Sequence, residues 1–303
     1  MEKQQFITVY VPVNSSTNEK EYIYFNLKDE CQDYCNEENA GRLKDNFLIP
    51  QEYSYLVDDG TGLTVAYATD RNLYKYLPTV INSLLINNPD AKVYVFAEDD
   101  KIEGLIHPSV TIINMNIFDN YMSKNSPQST YYLPRATFVR LWIADVIPES
   151  KVLWLDVDTI VNGNLKELND MDMGDNIIAA VLDCSWKDYP KISDKYVNAG
   201  VMLFNLDLWR KLDLTVRATK MLNNEKWQYG DQDIINKLCK GRVIFLNPRY
   251  NQGRYINIAG TISPVKIYHW PGKPKQWDST VIKDQLLWKK YYTTNLLHKE
   301  DKS

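Results

Sequence analysis

Hydrophobic and polar positions follow different rhythms on either side of residue 63. Beyond it, short apolar runs of strand length alternate with segments whose apolar residues recur at helical spacing. The apolar runs predict strands at residues 63–68, 92–98, 110–116, 151–161, 176–183, 199–206 and 242–247. Helical spacing predicts helices at residues 73–87, ending before Asn88-Pro89, and at residues 136–147. This alternation predicts an α/β domain with a mostly parallel, Rossmann-like central sheet flanked by helices.

The first 60 residues have a different pattern. Residues 5–13 and 20–27 are rich in β-branched and aromatic side chains, and the polar segment between them is typical of a turn. The polar stretch at residues 28–46 fits either a helix or a loop. We expect residues 1–60 to form a small, accessory β-containing extension that precedes the main domain at residues 61–303.

Charge and composition narrow the classes of partner. The 303-residue chain has a formal net charge of -4, which provides no general attraction to nucleic acid. No apolar stretch approaches the roughly 20 residues of a transmembrane helix, and the N-terminus lacks the features of a signal peptide. We therefore expect a cytoplasmic protein with no transmembrane segment and no nucleic-acid partner. Its cysteines are expected to be free thiols: Cys31, Cys35, Cys184 and Cys239. The oligomeric state stays open.

Two aspartates stand at the end of a strongly apolar run. Asp156 and Asp158 close the sequence KVLWLDVD, and residues i and i+2 of an extended strand project to the same side. A buried strand accommodates carboxylates only at its end or beside a compensating cation. Paired carboxylates at the carboxyl edge of an open sheet suit Mn²⁺ or Mg²⁺. A bare D-x-D is more often two solvated loop aspartates, but the preceding apolar run favours a metal site.

Five segments carry a resemblance to a known family. They are VAYATDRN at 65–72, VLWLDVDTIVNGNLKEL at 152–168, YVNAGVMLFNLDLWR at 196–210, GDQDIINKL at 230–238 and YHWPGKPKQW at 268–277. In this order they resemble glycosyltransferase family 8, which contains glycogenin and bacterial lipopolysaccharide galactosyl- and glucosyltransferases. The resemblance implies a GT-A fold and therefore a catalytic domain at 61–303. It also implies a UDP-sugar donor, a divalent metal that is usually manganese, and transfer with retention of anomeric configuration.

The resemblance also implies roles for individual residues. The metal is expected to bind Asp156, Asp158 and His269. The residues expected to contact the donor or its metal are Ala68, Thr69, Asp70, Asn72, Asp156, Val157, Asp158, Asn198, Ala199, Gly200, His269, Gly272 and Lys275. Lys275 can supply a point charge to the β-phosphate, and Gly272 lets the backbone approach a phosphate closely.

Three residues are expected near the reacting carbon of the donor sugar. Arg140 matches the arginine that the family places near the donor sugar and diphosphate, and Asp231 and Gln232 match the pair beside the anomeric carbon. Gln232 would face the sugar from the side opposite the leaving group, and an amide is a poor nucleophile. A front-face mechanism is therefore easier to defend than double displacement, with Asp231 as nucleophile the alternative.

The nucleotide loop departs from the family pattern at one position. By resemblance, Asp70 and Asn72 contact the uracil and ribose, and a tyrosine that stacks on the base usually follows them. Leu73 takes that place here, and Tyr74 comes next. Base stacking is therefore either lost or made from another position.

The function favoured by the sequence is a retaining, Mn²⁺-dependent hexosyltransferase. Its donor would be UDP-glucose or UDP-galactose, and its acceptor a carbohydrate or glycoconjugate. A non-catalytic sugar-nucleotide or carbohydrate-binding protein would keep the fold but lose part of the metal set, which this chain retains. A sugar-phosphate nucleotidyltransferase or an NAD-dependent dehydrogenase would carry a glycine-rich loop after the first strand, and ATDRNLYKY has no glycine.

Overall fold

The structure is a computed structural model that describes most of the chain beyond residue 62. The described residues are 5–14, 32, 35–36, 48–57, 62–102, 105, 107–123, 134–183, 195–253, 264–279 and 281–292.

Strands and helices alternate along this part of the chain. The strands are β1 (Gln5–Asn14), β2 (Leu48–Val57), β3 (Thr64–Ala68), β4 (Lys92–Ala97), β5 (Val110–Asn114), β6 (Lys151–Leu155), β7 (Thr159–Val161), β8 (Ile178–Leu182), β9 (Val197–Asn205), β10 (Val243–Phe245) and β11 (Ile267–His269). The α-helices are α1 (Leu77–Asn87), α2 (Arg135–Phe138), α3 (Lys166–Asn169), α4 (Leu206–Lys211), α5 (Leu214–Asn224), α6 (Asp231–Leu238) and α7 (Ile282–Tyr291). A 3₁₀-helix at Arg71–Tyr76 leads into α1, which ends before Asn88-Pro89 as predicted.

The central sheet has the strand order β10-β8-β9-β6-β3-β4-β5. All neighbouring strands are parallel except at β9, which runs antiparallel to both β8 and β6. The predicted mostly parallel sheet is confirmed. Because β9 is reversed, its N-terminal end lies at the same edge as the carboxyl ends of β3 and β6. The catalytic candidates from three strands therefore meet at one edge.

Both faces of the sheet are covered. Along β6, Leu153 and Leu155 belong to the apolar core that contains α1 and Trp288 of α7, whereas Val152 and Trp154 belong to the core that contains α4, α5 and α6. Alternate residues of a strand point to opposite faces. Two buried faces explain why the sequence of β6 is continuously apolar rather than alternating.

The segment at 136–147 differs from the single amphipathic helix that we predict. Helix α2 ends at Phe138, and 3₁₀ turns follow at Val139–Leu141 and Ile143–Asp145, separated by Trp142. Nearly the whole segment is buried, and the Trp142 ring packs 5.5 Å from that of Phe118. A segment surrounded by core has no polar stripe, so tertiary packing rather than helical periodicity sets its backbone.

The predicted strand at 151–161 is interrupted by the two aspartates. Strand β6 ends at Leu155, a turn occupies residues 156–158, and β7 then leaves the central sheet. In the turn, the backbone N–H of Thr159 donates to the Asp156 carbonyl at 3.1 Å. Strand β7 pairs antiparallel with β11, with Thr159 opposite His269.

The N-terminal residues form a separate antiparallel pair of strands. Strand β1 confirms the predicted strand at 5–13, and it pairs with β2 from Gln5 opposite Val57 to Asn14 opposite Leu48. Strand β2 was not predicted from the sequence. The predicted strand at 20–27 lies outside the described residues. The division of the chain at residue 60 stays a prediction.

Candidate active site

A cavity of about 470 Å³ opens at the edge where β3 and β6 end and β9 begins. Its lining residues are Ala68, Thr69, Asp70, Leu73, Pro134, Ala136, Thr137, Arg140, Asp156, Val157, Asp158, Asn198, Ala199, Gly200, Tyr229, Asp231, Gln232, His269, Pro271, Gly272, Lys275 and Trp277. The structure thus brings every site residue expected from the sequence except Asn72 to one cavity.

Asp156, Asp158 and His269 converge in the lining of this cavity. One potential ligand atom from each lies within 4.8 Å of the others. The His269 Nε2 atom is 3.3 Å from Asp158 Oδ1 and 4.0 Å from Asp156 Oδ2. The pairing of β11 with β7 brings the distant histidine here, and the Trp270 N–H donates to the Asp158 carbonyl at 3.0 Å.

The chemistry of these residues fits a divalent cation. Two carboxylates and one imidazole are a donor set that suits Mn²⁺. The Oδ1 atom of Asp158 is buried and accepts no hydrogen bond, and such an oxygen is costly to bury without a partner. Burial opposes ionisation of Asp158, but His269 and Lys275 outweigh it and hold the pKa of this carboxyl well below its usual range. The Lys275 ammonium bonds to the other oxygen of Asp158.

Gly200 allows the imidazole to lie against strand β9. A Cβ atom placed on this glycine would be 2.2 Å from His269 Cε1 and 2.6 Å from its Nε2. The Gly200 carbonyl also accepts the N–H of Asp156 at 2.9 Å, which ties β9 to the metal-binding turn. The resemblance placed Gly200 in the donor loop. The structure adds that a side chain here would displace the candidate ligand.

The buried Arg140 side chain connects the candidate metal ligands to helix α6. Its Nη2 donates to Asp156 Oδ1 at 2.7 Å, and its Nε lies 3.0 Å from Asp231 Oδ2. Its Nη1 donates to the Ala199 carbonyl at 2.5 Å. The guanidinium also lies over the Trp154 ring at 4.7 Å. Arg140 therefore bridges two carboxylates and reduces their mutual repulsion.

Asp231 and Gln232 occupy the first turn of α6. Asp231 is buried, and burial raises its pKa to about 7, with the charge of Asp156 adding to the rise and Arg140 opposing it. The Gln232 Oε1 atom accepts the Ala199 N–H at 2.8 Å. The Asn198 side chain makes internal bonds as well, because its Oδ1 accepts the N–H of Gly200 at 3.0 Å. The Gln232 bond holds the start of β9 against α6.

Only some residues of the loop after β3 line the cavity. Ala68, Thr69 and Asp70 line the cavity, whereas Asn72 does not. The Asp70 carboxylate also caps the following 3₁₀-helix by accepting the Asn72 N–H at 2.9 Å. Leu73 lines the cavity, but the hydroxyl of Tyr74 accepts N–H groups at the end of β4 instead.

The order and geometry of these segments agree with a known family. The sequence profile described as "Glycosyl transferase family 8" matches residues 64–281. The chain belongs to glycosyltransferase family 8.

Relatives of this family 8 protein cover most of its length. It is 29% identical over 245 residues to a putative glycosyltransferase of Haemophilus influenzae, covering 71% of this chain and 73% of the relative. It is 27% identical over 260 residues to a lipopolysaccharide 1,3-galactosyltransferase of Salmonella typhimurium, covering 75% and 77%. The crystal structure of galactosyltransferase LgtC with donor and acceptor sugar analogues superimposes with a TM-score of 0.60 at 26% identity, covering 76% of this chain and 95% of that one.

These comparisons establish the fold of the family 8 protein as GT-A, and they support transferase activity.

None of the helices in the described part of the chain combines the length and apolarity needed to cross a bilayer. Cys239 is a free, buried thiol, as expected, whereas Cys31 and Cys184 lie outside the described residues. The cytoplasmic location stays a prediction.

Several cavity residues of the family 8 protein were not expected from the sequence. They are Leu73, Pro134, Ala136, Thr137, Tyr229, Pro271 and Trp277. Pro271 and Trp277 stand within the quoted YHWPGKPKQW segment, so the motif contained a signal for them. Trp277 stacks on Tyr76 with ring centroids 3.9 Å apart. Tyr229 and Trp277 are the aromatic side chains among the lining residues described.

Proposed function

We propose that this family 8 protein is a retaining glycosyltransferase that transfers a hexose from a UDP-sugar to a hydroxyl of a carbohydrate or glycoconjugate. The observation that carries the proposal is the convergence of Asp156, Asp158 and His269 beside Lys275 in a cavity that also holds the buried Asp231. The family membership supports a nucleotide-sugar donor. The name of the Salmonella relative supports galactose, with glucose the other candidate.

Cleavage of the sugar–phosphate bond places negative charge on the β-phosphate of the leaving UDP. Asp156, Asp158 and His269 would hold a Mn²⁺ or Mg²⁺ ion, which would supply a Lewis acid for that charge. Lys275 adds a positive charge at the same place, since its ammonium bonds to Asp158. Gly272 lines the same cavity, and its φ of 76° favours glycine. Arg140 keeps Asp156 and Asp231 in place through its two ion pairs.

If the configuration is retained, the arrangement around α6 favours front-face attack over double displacement. Gln232 has a weakly nucleophilic amide whose oxygen already accepts the Ala199 N–H. Asp231 is paired with Arg140, and its raised pKa makes the carboxylate less available at neutral pH. Double displacement through Asp231 is therefore disfavoured, and its role is to bind hydroxyls of the donor sugar.

A non-catalytic sugar-nucleotide-binding protein is the rival function, because it would use the same cavity. Binding and turnover separate the two. With UDP at about 100 times its Kd, mass action stabilises the fold by about 2.7 kcal/mol, a rise in Tm of about 5 °C for a domain of this size. We expect this rise with UDP and Mn²⁺ together, a smaller one without metal, and none with ATP or NAD.

Turnover is tested by release of UDP from a panel of UDP-sugars without added acceptor. We expect slow, Mn²⁺-dependent hydrolysis of UDP-galactose or UDP-glucose. Water that enters the cavity can attack the activated donor sugar in place of an acceptor hydroxyl, but it does so slowly. Binding of UDP with no hydrolysis of any donor, and no transfer to carbohydrate acceptors, would support the binding-protein function instead.

The stereochemistry is expected to be retention, an inference that rests on the family rather than on the site. The anomeric proton of the product, observed by NMR, should show the α configuration of the donor sugar. A β-linked product would contradict this assignment without affecting the metal site.

A further inference from the structure

The imidazole of His269 stands at one end of a chain of buried amides. Its Nδ1 lies 2.9 Å from Asn251 Oδ1. The Nδ2 of Asn251 donates to Asn198 Oδ1 at 2.9 Å, and the Nδ2 of Asn198 donates to Asp183 Oδ2 at 3.1 Å. Asn251 is 0% exposed and Asn198 is 7% exposed, so water does not readily replace these bonds. Asn251 lies outside all five family-like segments of the sequence.

The hydrogen-bonding capacities of these groups determine the direction of the chain. An ionised carboxylate only accepts, so the Asn198 amide must present its NH₂ to Asp183. Its oxygen then faces the opposite way, where it accepts the Gly200 N–H at 3.0 Å as well as the Asn251 NH₂. Two independent partners thus hold Asn198 in one orientation. Asn251 is left with its oxygen towards the histidine, and an amide oxygen accepts only from a nitrogen that carries a proton.

We propose that Asn251 positions His269 for metal binding by holding the proton on Nδ1. Asn251 stands at the end of a hydrogen-bond relay, by which we mean the chain of bonds from Asp183 through Asn198 to Asn251. This inference rests on the metal site of the proposed function. In the neutral ring, the lone pair of Nε2 then points towards Asp158 Oδ1 at 3.3 Å and Asp156 Oδ2 at 4.0 Å. With the imidazole neutral, three acceptors face one another, and the group that satisfies all three is either a second ring proton on Nε2 or a divalent cation that displaces it.

Reversal of Asn251 would produce the opposite state. Its oxygen would then oppose the Asn198 oxygen, and its NH₂ would force the histidine proton onto Nε2, where the metal has to bind. Ligating histidines commonly donate their second ring N–H to a carboxylate or carbonyl, which fixes the ring and its tautomer. In this protein the acceptor is the amide oxygen of Asn251, and Asp183 fixes the orientation of that amide through Asn198.

The tautomer is measured on the metal-free wild-type protein labelled with ¹⁵N-histidine. Long-range ¹H–¹⁵N correlations distinguish the two neutral forms, and His269→Gln identifies the signal among the three histidines of the chain. We expect a proton on Nδ1, either in the neutral ring or in the doubly protonated ring. Observation of the Nε2–H form would overturn the proposal, whatever the activity of the protein.

Two substitutions then test Asn251 itself. Asn251→Leu removes the acceptor, so we expect loss of the uniform Nδ1–H signal and an increase in the Kd for Mn²⁺ of about 10–100-fold. Asn251→Asp keeps an acceptor for Nδ1 and is expected to restore the tautomer and part of the affinity. Asn88→Leu is the matched control, because Asn88 is also a buried asparagine, bonded to the Leu84 carbonyl and the Leu165 N–H far from the cluster.

The outcomes separate this inference from the proposed function. Wild-type tautomer and wild-type Mn²⁺ affinity in Asn251→Leu would overturn the relay while leaving the metal site intact. If the wild-type protein has the Nδ1–H form but binds neither Mn²⁺ nor Mg²⁺, the relay is supported and the metal site of the proposed function fails.

Discussion

Asp158→Asn is expected to reduce metal-dependent turnover of the donor by at least about 100-fold while leaving the protein folded. The amide keeps the size of the side chain but removes the negative charge that attracts a divalent cation. Asp158 Oδ1 has no hydrogen-bond partner, and the amide oxygen of the asparagine can still accept from Lys275 in place of Oδ2, so we expect the fold to be kept. The measurement is UDP release from the donor as a function of Mn²⁺ concentration, with far-UV circular dichroism to verify folding.

Asp170→Asn is the matched control for this substitution. Asp170 is a largely exposed aspartate paired with Lys166 on α3, away from the cavity. We expect it to keep wild-type turnover and the same dependence on Mn²⁺. Full activity of the wild-type protein in excess EDTA would contradict the metal-dependent mechanism altogether.

Gly200→Ala is expected to weaken Mn²⁺ binding and turnover by about 100-fold, since displacement of a site group by about 1 Å can have this effect. The added Cβ would lie 2.2 Å from His269 Cε1, closer than van der Waals contact permits. The ring is buried and its Nδ1 is bonded to Asn251, so it cannot move without losing that bond. Overpacking of this kind also lowers the free energy of unfolding by about 1–3 kcal/mol.

Gly163→Ala distinguishes this effect from a general intolerance of alanine. Its Cβ would meet Lys266 Cδ at 2.9 Å, and a lysine side chain can rotate away. We expect Mn²⁺ affinity, by calorimetry, to be unchanged in Gly163→Ala and reduced in Gly200→Ala. Wild-type Mn²⁺ affinity in Gly200→Ala would show that the ring does not pack against β9 as described.

The inner strands of the sheet were predictable because their apolar residues report burial directly, whereas the edge strands β5 and β10 are only partly buried and were predicted from short apolar, β-branched runs. The runs containing β3, β4, β5, β8, β9 and β10 were all expected. Strand β2 was missed because residues 48–57 mix proline, glutamine and glutamate with apolar residues and show no regular alternation. The segment 136–147 was misjudged because a spacing that fits a helix does not reveal that nearly the whole segment is buried.

The cavity was predicted from motifs rather than from periodicity. The D-x-D pair has a local physical signal, an acidic pair after an apolar run. His269, Arg140 and Asp231 have none, and their roles came from the resemblance. Asn251 carried neither kind of signal. Asn72 does not line the cavity and bonds through its backbone N–H to Asp70, so its contact with the donor stays a prediction.

By itself, the sequence determined the class of the protein: an α/β sheet, a carboxylate pair at the end of one strand, and five ordered segments of glycosyltransferase family 8. Only the tertiary structure decided which groups meet. The reversal of β9 and the pairing of β7 with β11 bring Gly200 and His269 to Asp156. The bonds of Arg140 and Asn251 join residues distant in sequence. Such contacts depend on strand order and side-chain packing, which local patterns of residues do not encode.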